Sequence, residues 1–141
     1  MVDEMTNAAT GQQAKHAALK RHVDEQPILT AIQQAEAGTS GALHVSIAER
    51  VRGDVKRAAA RVFRDLGYGE SGSAAVLFFV VPSRRELAVI GGEGIHSRLG
   101  DAYWRALIET MAKRVRGEDL TSALVRGVEQ VGAELARHFP R

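Results

Sequence analysis

Hydrophobic positions along the chain change period several times, and each change marks an element. Ile28, Ile32 and Ala35 recur at helical spacing behind Pro27, a residue suited to a first helical turn, and Gly38 and Gly41 close that segment. From Ala42 to Ala48 the pattern alternates. Leu43, Val45 and Ile47 fall on one side and His44 and Ser46 on the other, which predicts a strand with two unlike faces. After a turn at Gly53, Asp54 stands where an N-cap belongs. Val55, Ala59, Val62 and Leu66 then recur at helical spacing, with Arg57, Arg61 and Arg64 on the opposite side. The glycine-rich stretch Gly67 to Gly72 leads into Ala74 to Val81, apolar on both faces as a central strand is, and Pro82 stops it. Glu86 to Gly91 returns through the short Ser83 to Arg85 turn as an antiparallel neighbour. Trp104, Leu107, Ile108, Met111 and Val115 mark a helix between Asp101 and Gly117. Leu120, Leu124, Val128, Val131 and Leu135 mark a last one running to Phe139 and Pro140. This order predicts an α/β fold: a three-layer α/β/α sandwich whose small mixed sheet holds one right-handed βαβ unit and a β-hairpin, with helices on both faces.

Composition narrows the reading further. A chain of 141 residues, 45% of them hydrophobic, matches one ordinary domain, here expected over 14–141 behind a polar tail at 1–13 expected to be disordered. The absence of cysteine removes disulfides, thiolate metal sites and cysteine nucleophiles. Residues Met1 to Gln13 lack the basic and apolar run of a secretory signal, and Ala74 to Val81 falls far short of the ~20 apolar residues that span a bilayer. A cytoplasmic location is the expectation. A formal charge of +2 is weak for a protein that lives on phosphate backbones. The stripe Arg57, Arg61, Arg64 lies opposite the apolar face and has no aromatic residues interleaved for stacking on bases. It reads as a solvated helix face, which disfavours nucleic acid and leaves peripheral membrane contact open.

Few residues offer chemistry. Gly69 to Ser73 resembles a nucleophile elbow only in composition, because it enters a strand instead of leaving one and has Ser73 in place of the second glycine. Gly92, Glu93 and Gly94 lack the third glycine of a dinucleotide-binding turn, and there is no Walker motif. His16, His22, His44, His96 and His138 are scattered, with no i, i+4 pair around a glutamate. His44 reads as a surface or partly buried packing residue. His96 sits in the expected loop between the glycines and the Trp104 helix, where sites collect. With Ser71 it forms a candidate loop site. Carboxylates matter because hard cations need clustered oxygen ligands. If the first two strands are parallel and the third antiparallel, then Thr39 to Ala42, Glu70 to Ser73 and Gly91 to Gly94 converge at one sheet edge. Glu70 and Glu93 then share it. Asp101 and Asp119 lie just upstream of the two last helices, each also well placed to cap one.

The ordered series of motifs resembles the TPM domain family, especially its short, single-domain bacterial members. Ala31 to Glu36 with Thr39, Ser40 and Gly41 looks like the family's first helix and T-S-G turn, and Phe63 to Gly67 like its F-x-x-L-G. Ile90-Gly91, Gly94-Ile95-His96, Tyr103-Trp104, Gly117 and His138-Phe139-Pro140 follow in the family's order. The resemblance implies the same α/β/α sandwich, divalent-cation binding in some members and acid phosphatase activity in a plant relative. Two departures fall at the converging edge. The family pattern has Glu after T-S-G and Asp after I-G, where this chain has the neutral Ala42 and Gly92. Glu93, Asp101 and Glu70 remain as metal ligands, for weak Ca²⁺ or Mg²⁺ binding at most. The expectation is a TPM-like module acting through a protein partner, with a weak or vestigial cation site. The alternative is a metal-dependent acid phosphatase acting on phosphomonoesters.

Overall fold

The computed structural model describes residues 2–4, 23–117 and 119–141. Strand β1 (Val2–Glu4) opens the chain and helix α1 (Glu25–Ala37) follows, with the Asp24 carboxylate accepting from Gln26 N at 3.2 Å. Next come β2 (Ala42–Ala48), α2 (Val55–Asp65), β3 (Ala75–Val81), a 3₁₀ turn at Pro82–Arg84 and β4 (Glu86–Gly91). Three helices complete the order: α3 (Glu93–Leu99), α4 (Asp101–Gly117) and α5 (Leu120–His138). The expected tail at 1–13 lies outside the described residues except for 2–4, which pair antiparallel with β2. The sheet is mixed, in the order β1-β2-β3-β4, with β2 and β3 parallel through α2 and β3 and β4 antiparallel as the hairpin.

Side chains of β3 alternate between two cores, which makes the fold a three-layer sandwich. Val76, Phe78 and Val80 pack with α1, α4 and α5, while Ala75, Leu77, Phe79 and Val81 pack with Val55, Ala59 and Phe63 of α2. Each large side chain so buried contributes about 1.5–3 kcal/mol. Helix α5 supplies Leu120, Leu124, Val128, Val131 and Leu135, the apolar stripe predicted from its spacing. Its approach to α1 requires glycine, since a Cβ on Gly132 would lie 2.6 Å from Ala35 Cβ.

Several expectations need correction. His44, read as a surface or partly buried packing residue, packs more deeply than that: it and Ser46 are buried, at 2% and 0% exposure, on the side of β2 that carries Tyr68 and the core shared with α2. His96 is not in a loop. It sits within α3, a short helix between Gly92 and Gly100 whose few residues carry too little periodicity to announce it. Asp119 caps α5 through Ser122 N at 3.1 Å as anticipated, but Asp101 is the first residue of α4 itself and turns its carboxylate to His96.

Candidate functional site

The T-S-G turn is structural. Buried Thr39 donates its hydroxyl toward the carbonyls of Leu135 and Phe139 and accepts from Gly41 N at 3.0 Å. Ser40 N donates to Phe139 O at 3.0 Å, so the turn after α1 is tied to the segment that follows α5. Gly41 is confined by its neighbours, because a Cβ there would lie 2.6 Å from Ala74 O.

Beyond this turn the three expected segments do converge. Ala42 N donates to Ala74 O at 3.2 Å, Gly92 N to Ala75 O at 2.8 Å and Gly94 N to Ser73 O at 2.9 Å. Glu93 closes the arrangement. Its Oε1 accepts from Gly72 N at 2.9 Å and from Ser71 Oγ at 3.0 Å. These bonds, the backbone one foremost, hold its carboxyl below the ordinary glutamate range. Ser71 thus donates its hydroxyl to a carboxylate whose lowered pKa makes it a poor base for turning that serine into a nucleophile. Glu70 lies exposed in the same turn, where its backbone carbonyl accepts from Ser73 N.

Asp101 and His96 form a separate pair. Asp101 Oδ1 meets His96 Nε2 at 2.8 Å, and the imidazole stacks parallel on Trp104 with centroids 5.7 Å apart. Trp104 Nε1 donates to His96 O at 3.3 Å, and Tyr103 meets the indole edge-on. Burial and the Glu134 carboxylate push the Tyr103 phenol upward, against a smaller opposite effect of the Gln130 amide. This aromatic corner borders a hollow of about 430 Å³ beside Val89, Ile90 and Gly91.

The donor set does not fit a hard-cation cage. Glu93 is engaged by the 70–73 loop and Asp101 by His96, and the edge positions 42 and 92 are neutral. Among the described residues no three of His, Asp and Glu are grouped as metal ligands. The departure at Gly92 is built into the packing: a Cβ there would lie 2.5 Å from Ser73 Oγ and 2.6 Å from Ser73 O. Arg57, Arg61 and Arg64 are exposed on α2, as their spacing predicts. Sequence reasoning brought Glu93 to the right edge but missed its clamp on Ser71 and Gly72. It also missed the His96–Asp101 pair, for which the five-residue spacing across Gly100 was the available signal.

Comparison with known proteins agrees with this architecture. The model of the TPM domain matches residues 16–134. The fold is similar to the NMR structure of the BA42 protein from the psychrophilic bacterium Bizionia argentinensis, with TM-score 0.73, 26% identity and 84% of each chain covered. It is also similar to the N-terminal domain of a protein from P. gingivalis, with TM-score 0.67, 17% identity, and 82% of this chain and 77% of that chain covered. The N-terminal domain of the cg2496 protein from Corynebacterium glutamicum is similar too, with TM-score 0.62, 19% identity, and 79% and 70% covered. No curated protein matches the chain. No helix among the described residues is long and apolar enough to cross a membrane.

Proposed function

This chain belongs to the TPM domain family, and on that premise we propose that it is a cytoplasmic protein-binding module whose loop edge retains only the vestige of a divalent-cation site. The observation that carries this reading is the engagement of Glu93 with Ser71 and Gly72, at an edge where Ala42 and Gly92 supply no carboxylate. A Ca²⁺ cage takes six to eight oxygens at about 2.3–2.6 Å. Glu70, exposed in the same loop, is the only other carboxylate of the 70–73 and 91–94 segments. Phosphoester hydrolysis through a bound cation would have no preassembled ligand set to start from.

The test is a ¹⁵N amide NMR titration with Ca²⁺ and then Mg²⁺, paired with an assay on p-nitrophenyl phosphate. The reading expects no saturable shifts confined to residues 70–73 and 91–94 at millimolar metal, and no chelator-sensitive turnover. Saturable shifts there, with hydrolysis abolished by EDTA and by Glu93→Gln, would replace it with a metal-dependent phosphatase.

A further inference from the structure

We draw no further inference here: the strongest candidate, the hollow of about 430 Å³ between β4 and α4, carries nothing because Lys56 and Arg105 on its wall are balanced by Asp101 and Glu109, and nothing in the structure shows what covers it.

Discussion

Glu93 owes its state to the two donors that hold one of its oxygens, the Gly72 amide first and the Ser71 hydroxyl second. Its folded pKa is lowered, so the clamp is fully present above the ordinary glutamate value of about 4.3 and is lost as pH falls through the lower folded value. The Gly72 amide proton should accordingly shift upfield only below the ordinary range, as a pH titration by NMR would record. Glu93→Gln should speed amide exchange in residues 70–73 while leaving the thermal transition in place. Gly92 carries the opposite lesson. Restoring the family's carboxylate with Gly92→Asp puts a Cβ against both the side chain and the carbonyl of Ser73, so the change should cost about 1–3 kcal/mol in urea denaturation before any ligand is gained. The sequence reads position 92 as a lost ligand, but it could not show that Ser73 occupies the space a side chain there would need.

At the scale of elements, strands and long helices were legible because their periods are long enough to repeat. β2 and β4 run over the ranges their patterns predict, and β3 begins one residue later than its apolar run. What escaped was short or depended on a neighbour. Helix α3 is seven residues between glycines, and β1 is a three-residue strand with two acidic side chains in a segment without apolar alternation. How deeply the polar face of β2 is buried was not legible, because nothing in Ala42–Ala48 reports the core that α2 builds on that side of the sheet. The convergence of the loops at the candidate site followed from strand directions alone, whereas the pairing of His96 with Asp101 needed the unseen α3 to set their geometry. The join between the α1 turn and the end of α5 belongs to this scale too. Thr39→Val would leave the Gly41 amide and the carbonyls near it short of partners, and should lower stability by about 1–3 kcal/mol by thermal unfolding.

For the whole molecule, two cores share β3, so they should not melt apart. Leu124→Ala removes a fully buried side chain of α5 and should cost about 2–5 kcal/mol. Helical circular dichroism and Trp104 fluorescence should still fall in one coincident transition; separate transitions would show the α2 layer surviving alone. The position of α5 also matters during synthesis. Every strand leaves the ribosome before α5, yet one face of the sheet is covered largely by that helix and by α1, which packs upon it. Leu43, Val45, Phe78 and Val89 are therefore the core side chains whose cover is translated last, and apolar surface exposed for such an interval favours aggregation.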